Sequence, residues 1–215
     1  MSDKSNKYGY VGVDIPAQSF GANKGVFNPA EINDLVANNQ WTTFGQLELI
    51  ETKTASASSA VNFVDIKENI YNVHFLTYSL IPSADDTGVI RFSNNNGTSW
   101  IASSYQYTQQ FGNSAGAFSN LDATSINFLA RLGNSTGTGT NELTAGYYYF
   151  YNLGDSTKKN FATMHTTGTD TSSNYQMTFG SAVYSVAEIV NGISLFCYSG
   201  NTLTGTASLY GIRYS

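Results

Sequence analysis

An all-β fold is what this sequence predicts: an antiparallel, jelly-roll-like β-sandwich preceded by an extended N-terminal arm and one short helix. Short segments rich in Val, Ile, Phe, Tyr and Thr recur along the chain, separated by clusters of Gly, Asn, Ser and Asp. No helical crossover of a dozen residues separates them, so the strands should pair antiparallel. Aromatic residues make up 14% of the 215 residues and charged residues only 12%, which excludes a charged helical bundle.

Residues 1–45 form the first predicted region, an arm for docking and assembly. Isolated aromatic residues mix with glycines there and follow neither a helical nor a strand period. The side chains expected to dock onto a partner are Tyr8, Tyr10, Val13, Ile15, Phe20 and Phe27. The alternative is a disordered tail, because disorder concentrates at chain termini.

One short helix is predicted in this region, at about residues 28–38. Asn28 suits the N-cap and Pro29 the first helical position, and Ile32 and Leu35 have helical spacing. A weaker helical candidate at 184–188 could equally be a connecting turn.

The second predicted region, residues 46–215, is the β-sandwich. Eleven strands are expected, at about 45–53, 60–66, 71–80, 88–94, 100–107, 123–131, 145–152, 160–166, 175–180, 191–198 and 204–214. Asn96-Gly97 tolerates the positive φ of a tight hairpin turn. Surface loops are expected near 112–120, 133–144 and 167–174.

The charge and hydropathy patterns argue against several partners. The net charge is −5, and Lys158-Lys159 is the only adjacent basic pair, so nucleic acid is not expected to bind. No apolar run is long enough for a membrane span, and the first seven residues lack the apolar segment of a signal peptide. We therefore expect synthesis in the cytoplasm and no membrane insertion.

Catalytic motifs are weak, and no enzymatic activity is predicted. Gly112-Asn113-Ser114-Ala115-Gly116 matches G-x-S-x-G, and Asp155 and His165 follow in hydrolase order. A nucleophile elbow needs a helix after the serine, and no helical period follows Gly116. A carboxylate pair for glycoside cleavage stays open, although no pair stands out among Glu48, Glu51, Asp65, Glu68, Asp122 and Glu142.

No cofactor or metal is predicted. His74 and His165 lack the spacing of a zinc pair, and His74 is interpreted as a satisfied sheet histidine. Asp85-Asp86 could offer oxygens to Ca²⁺, but a plain turn is favoured. Cys197 is expected to be a small buried residue.

The tyrosines carry the most functional information. Strand residues 147–151 place aromatic side chains on both faces, so two or three must point away from the core. A subunit interface, a sugar-stacking platform and an ordinary sheet surface compete as explanations, and the interface is favoured. The residues assigned to this interface or glycan face are Tyr105, Tyr107, Tyr147, Tyr149 and Tyr151.

Four segments of the chain carry a resemblance to a known family. They are Lys7–Pro16 (KYGYVGVDIP), Gly25–Ile32 (GVFNPAEI), Trp41–Ile50 (WTTFGQLELI) and Leu209–Tyr214 (LYGIRY). Together they resemble virion structural proteins of marine tailed bacteriophages, especially those that infect cyanobacteria.

The resemblance implies a non-enzymatic protein on the virion exterior, in a tail fibre or appendage, a capsid decoration or a head fibre. Other virion proteins and further copies of the chain, as a trimer for example, are then the expected partners. The loops of the sandwich become candidates for contact with the host surface, including its glycans. A carbohydrate-binding β-sandwich module is the alternative.

Overall fold

The computed structural model describes residues 29–38 and 47–213, and almost all of its regular structure is antiparallel β. The chain divides into two units, Met1–Gly45 and Gln46–Ser215. In the first unit, helix α1 spans Pro29–Ala37, which confirms the predicted helix. The backbone N–H and the side-chain amide of Asn38 both donate to the carbonyl of Asp34, at 3.0 and 2.8 Å, and so close its last turn.

The predicted N-cap of α1 and the predicted docking side chains of the arm are not among the described residues. Asn28 and the six docking residues Tyr8, Tyr10, Val13, Ile15, Phe20 and Phe27 lie outside the described residues. Their roles stay predictions.

The second unit contains eleven strands, the predicted number. They are β1 (Leu47–Ser58), β2 (Ala60–Val64), β3 (Val73–Pro82), β4 (Gly88–Ser93), β5 (Tyr105–Asn113), β6 (Phe118–Ile126), β7 (Thr144–Tyr151), β8 (Lys159–Thr169), β9 (Tyr175–Ala187), β10 (Gly192–Cys197) and β11 (Leu203–Ile212). Neither α1 nor any other helical segment within 29–38 and 47–213 has the length and apolar character to cross a membrane.

The strands form two sheets of unequal size. The large sheet has eight strands in the order β1-β11-β3-β7-β8-β9-β5-β6, and the small sheet has three in the order β2-β10-β4. All of these neighbours pair antiparallel. The sandwich is therefore confirmed, whereas the division into eight and three does not establish a jelly-roll order.

Alternation along the strands builds the core between the sheets. On β3, Leu76, Tyr78 and Leu80 point inward, and on β10 Ile193 and Leu195 point toward them. Phe92 of β4 is fully buried among aromatic rings. Burial of apolar area on this scale is the main stabilising contribution to the fold.

An irregular segment, residues 127–136, covers the inner face that the small sheet does not reach. Arg131 is held by buried polar side chains of the large sheet: the Gln109 amide donates to its carbonyl (3.0 Å) and accepts from its N–H (3.2 Å), and the Tyr148 hydroxyl also donates to its carbonyl. The Tyr78 hydroxyl donates to the next carbonyl, that of Leu132, at 2.7 Å. Buried polar side chains thus satisfy backbone groups of a segment that belongs to neither sheet.

Several predicted boundaries were wrong. The predicted strand at 100–107 begins only at Tyr105, and the one predicted at 123–131 ends at Ile126, after which the chain leaves the large sheet and bonds to the edge of β4. The loop expected near 112–120 is a turn of only four residues between β5 and β6, and the weak helical candidate at 184–188 mostly continues strand β9. In the last two cases, pairing with a neighbouring strand outweighs local turn or helix propensity.

Candidate functional site

Strand β7 presents its tyrosines as alternation predicts. Tyr148 and Phe150 are fully buried, whereas Tyr147, Tyr149 and Tyr151 alternate with them on the opposite face of the large sheet. We call this face, which points away from the small sheet, the outer face. Tyr147 is 39% exposed there.

Tyr105 and Tyr107 do not belong to the outer face, so their assignment was wrong. They share one face of β5 as expected, but it is the inner one, where they are 0% and 5% exposed. The Tyr105 hydroxyl accepts the backbone N–H of Phe92 at 2.9 Å, and burial raises the pKa of this phenol. Strands β8 and β9 separate β5 from β7, so the two tyrosine groups are not adjacent.

An aromatic cluster centred on Phe75 of β3 occupies the middle of the outer face. The Phe75 ring centroid lies 4.6 Å from that of Tyr149, 5.9 Å from Tyr147 and 6.0 Å from Tyr210 of β11. The Tyr147 ring also meets His165 of β8 edge-on at 6.0 Å. These contacts hold several rings in defined positions, which prepares them to bind a partner at low entropic cost.

Exposed apolar side chains extend the outer face in both directions from this cluster. Leu47 and Leu49 lie at its β1 edge, whereas Phe161, Met177, Phe179 and Phe118 follow on β8, β9 and β6, and all six are more than a third exposed. Between them stand Thr and Ser side chains, such as the pair Thr52 and Ser208, whose hydroxyl oxygens are 2.8 Å apart.

Charged residues are almost absent from six neighbouring strands of the large sheet. Strands β11, β3, β7, β9 and β5 contain no Asp, Glu, Lys or Arg on either face, and β8 contains only Lys159 at its start. These six strands are neighbours in the sheet. An exposed face rich in Tyr and Phe and poor in charge has the composition of the buried centre of a protein interface.

The small sheet differs, because its polar groups are satisfied internally. The Ser194 hydroxyl donates to the Asn62 side-chain oxygen at 2.7 Å, and the Arg91 guanidinium donates to the Asn127 carbonyl at 2.6 Å. The same guanidinium lies 4.6 Å over the ring of Phe196.

A shallow groove of about 340 Å³ crosses the outer face near its β6 edge. The Phe161 ring lies at one side of it, and polar side chains from Gln106, Thr108, Asp122 and Ser181 line the remainder. An aromatic ring beside amide, hydroxyl and carboxylate groups is a combination that can bind a sugar by stacking and hydrogen bonds.

The three predicted surface loops meet at one end of the large sheet. The Asn113 side-chain amide donates to the Asp170 carboxylate at 3.1 Å, and Gly137 N–H donates to the Thr169 carbonyl at the same distance. Asp170 also accepts backbone N–H groups from Ser172 and Asn174, both at 2.9 Å. Burial opposes ionisation here, but these hydrogen bonds outweigh it and lower the pKa of Asp170.

Exposed aromatic side chains flank this loop end. Tyr175, at 76% exposure, and Phe118, at 65%, lie beside the turn that contains Ser114. The loop end therefore combines ordered loops with accessible rings.

The residues of the G-x-S-x-G motif are not assembled into a triad. The Ser114 hydroxyl accepts the backbone N–H of Tyr175 at the loop end, whereas Asp155 lies in the turn between β7 and β8 at the opposite end of the sheet. A hydrogen bond from Lys158, with others from Thr157, lowers the pKa of Asp155. His165 lies on the outer face between these two ends, beside Tyr147.

The candidate carboxylates mostly have local partners. Glu48 accepts the Tyr71 hydroxyl at 2.8 Å, Glu142 accepts the Gly139 N–H at 2.7 Å, and Glu51 and Asp65 pair with Lys53 and Lys67 at 2.9 and 2.7 Å. Asp122 lies in the groove and Glu68 borders a surface pocket beside Gly154. No two of them are brought together in a shared site in the described part of the chain.

Asp86 organises a turn. Its carboxylate accepts backbone N–H groups from Thr87 and Ser199, at 2.7 and 3.2 Å, and the Asn201 amide at 2.9 Å. These donors already use the oxygens that a Ca²⁺ ion would need. Among residues 29–38 and 47–213, no three His, Cys, Asp or Glu side chains form a group that could hold a metal.

Cys197 is buried, as predicted, whereas His74, predicted to be a satisfied sheet histidine, is buried with a hydrogen-bond partner at only one ring nitrogen. His74 Nε2 donates to the Ile66 carbonyl at 2.8 Å, and burial lowers the pKa of its ring to about 4. Cys197 is 2% exposed, and burial, assisted by the nearby charge of Asp86, raises the pKa of its thiol to about 12. A thiol in this state is an inert packing group.

Sequence reasoning missed the outer-face residues outside β7, among them Phe75, Tyr210, Phe161, Phe179 and Met177. The alternation was readable in β9, where Tyr175, Met177 and Phe179 alternate with Gln176 and Thr178. In β9 the polar residues Gln176 and Thr178 are buried, so the usual assignment of apolar residues to the core selects the wrong face of this strand.

Comparison of this chain with protein families, with curated proteins and with solved structures finds no match.

Proposed function

We propose that this chain is a non-enzymatic structural protein on the exterior of a bacteriophage virion, in a tail fibre or appendage or as a capsid decoration or head fibre. The observation that carries the assembly role is the uncharged aromatic outer face of the large sheet. Such a face is more stable against another protein than against water. The virion assignment rests on the resemblance of the four segments named above.

The two units have separate tasks in this proposal. Residues 1–45 dock onto a neighbouring virion protein through their aromatic and aliphatic side chains. The sandwich projects outward, and its loop end, with Tyr175 and Phe118, contacts the host surface. Weak contacts at each loop end are multiplied by the number of copies on the particle.

Immunogold electron microscopy of virions from the phage that encodes this chain tests the proposal. The antibody is raised against residues 46–215, and we expect gold at the tail, its fibres or the head surface. Label at the tail assigns the protein to host adsorption, whereas label over the head assigns it to decoration. Particles without label, and without the protein in their mass spectra, would reject the virion role.

A carbohydrate-binding module is the second candidate, and the groove beside Phe161 favours it. If it is correct, a host-surface glycan should raise the melting temperature and protect tyrosine fluorescence. Phe161→Ala should abolish both effects, while Phe179→Ala, an exposed ring outside the groove, should preserve them. Glycan arrays that show no binding by the full chain would eliminate this candidate.

A further inference from the structure

Most charged side chains of the sandwich lie away from the outer face, and Asp122 of β6 lies in the groove near its edge. The ion pairs Glu51–Lys53, Asp65–Lys67 and Asp155–Lys158 lie on the edge strand β1 and in turns. Because the chain carries a net charge of −5, two copies repel each other where charged surfaces meet. The six neighbouring strands β11, β3, β7, β8, β9 and β5 contain only Lys159 as a charged residue, so this repulsion is small across the middle of the outer face.

The polar groups of the outer face suit contact with an identical surface. They are mainly hydroxyls of Thr, Ser and Tyr, such as Thr77, Thr163 and Tyr149, and each hydroxyl can both donate and accept. Two identical surfaces of this kind can pair without placing donor against donor. A charged partner, in contrast, would find no opposite charge on the central strands.

The size of the face also fits a protein interface. Eight strands at about 4.8 Å spacing span about 34 Å, and the eight paired residues of β3 and β7 add about 26 Å along the strands. The face thus offers on the order of 850 Å², close to the roughly 800 Å² that each partner contributes to a standard interface.

The sheet edge at β1 is protected against continuation of the sheet. Its pairing with β11 is interrupted by two bulges, and it carries Glu48, Glu51 and Lys53. Bulges and charges of this kind discourage the pairing of further strands. Association by stacking of sheet faces is therefore favoured over growth of the sheet at this edge.

We propose that two copies of this chain associate through their outer faces, with the aromatic cluster around Phe75 at the centre of the contact. The inference rests on the proposed function, because it names the partner that covers the same face. Tyr147 is the best position to test, since it belongs to the cluster and is 39% exposed. A substitution there disturbs the interior of the sandwich little.

Sedimentation velocity of the full chain over a wide concentration range measures the association. We expect a dimer, because a contact of the same face on both copies closes at two. We expect Tyr147→Glu and Tyr147→Lys each to weaken association at least about 30-fold, as for an aromatic residue at an interface centre. Mixing the two variants should restore association, because opposite charges then meet across the contact. Ser103→Glu and Ser103→Lys, in an exposed loop before β5, are the matched controls and should associate like the parent chain.

Three results would overturn the inference. A parent chain that stays monomeric at all concentrations excludes self-association. If it is monomeric and Tyr147→Glu also lowers the melting temperature strongly, another part of the same chain covers the face. Association that both Tyr147 variants retain shows that copies meet elsewhere. If the chain is monomeric but gold labels the virions, self-association is rejected and the proposed virion function stands. If the chain self-associates but the virions carry no label, only the proposed virion function is rejected.

Discussion

Phe92→Ala should lower the free energy of unfolding by about 3–5 kcal/mol, the range for removal of a buried aromatic ring. Phe92 is fully buried on β4, and its ring contacts those of Phe150, Tyr105 and Tyr184 at centroid distances of 5.6, 6.1 and 6.4 Å. Its loss would leave a cavity at the point where the small sheet packs on the large one. Such a change consumes a large part of the stability of a typical domain.

Urea unfolding of the full chain, followed by circular dichroism, measures this loss. Phe179→Ala is the matched control, because it removes the same side chain from the outer face, where Phe179 is 42% exposed. We expect the control to cost no more than about 1 kcal/mol when the chain is monomeric. Equal losses for the two variants would mean that the outer face is buried as deeply as the core, and would contradict the assignment of faces.

The strands were predictable from sequence because alternation and turn residues are local signals. The number of strands and the short helix beginning at Pro29 followed from such signals. Some of the errors arose where turn-forming residues lie inside paired strands. Gly112 and Asn113 are typical of turns, yet both pair with β9. A Cβ atom added at Gly112 would lie 3.2 Å from the Phe118 ring, so a larger residue would crowd that ring.

The faces of the strands were less predictable, because they depend on how the sheets pack. Alternation groups Tyr105 with Tyr107 and Tyr147 with Tyr149, but it does not tell which group faces the core. That choice depends on the segment 127–136, whose Arg131 carbonyl and N–H require buried partners such as Gln109. The need to satisfy these backbone groups draws polar side chains inward.

The sequence therefore identified one strand of the candidate site and missed its extent. Tyr147, Tyr149 and Tyr151 were found because five consecutive aromatic residues cannot all face one side of a strand. Phe75, Tyr210 and Phe161 each stand in strands with ordinary composition. Only the strand order β11-β3-β7-β8 brings them onto the same part of the outer face as the tyrosines of β7.

The second large effect expected is a loss of stability in mild acid, caused by His74. This ring is completely buried on β3, where its Nε2–H donates to the Ile66 carbonyl and its Nδ1 has no hydrogen-bond partner. The Tyr71 ring meets it edge-on at 6.1 Å, and the residues paired with it across the sheet are Gly211 and Phe150. Burial lowers the pKa of this ring to about 4, because the hydrogen bond to the Ile66 carbonyl offsets only part of the cost of burying the charged form.

The direction of the effect follows from proton binding in the two states. The imidazole of the unfolded chain has a pKa of about 6.5 and takes up a proton below that pH, while the buried ring stays neutral until about pH 4. The neutral His74 ring therefore makes its full contribution to the free energy of unfolding above pH 6.5. As the pH falls from about 6.5 to about 4, the free energy of unfolding decreases by about 3 kcal/mol in total. Urea unfolding at a series of pH values measures this slope.

His74→Gln should flatten the slope between about pH 4 and pH 6.5, because the Gln amide can still donate to the Ile66 carbonyl but does not titrate in this range. The carboxylates contribute equally to both proteins, so the difference between their slopes isolates the histidine. His165→Gln, at an exposed position of β8 on the outer face, is the matched control for the loss of a histidine. A slope that His74→Gln leaves intact would show that His74 is not the group responsible, and stability that rises in acid would contradict its burial as a neutral ring.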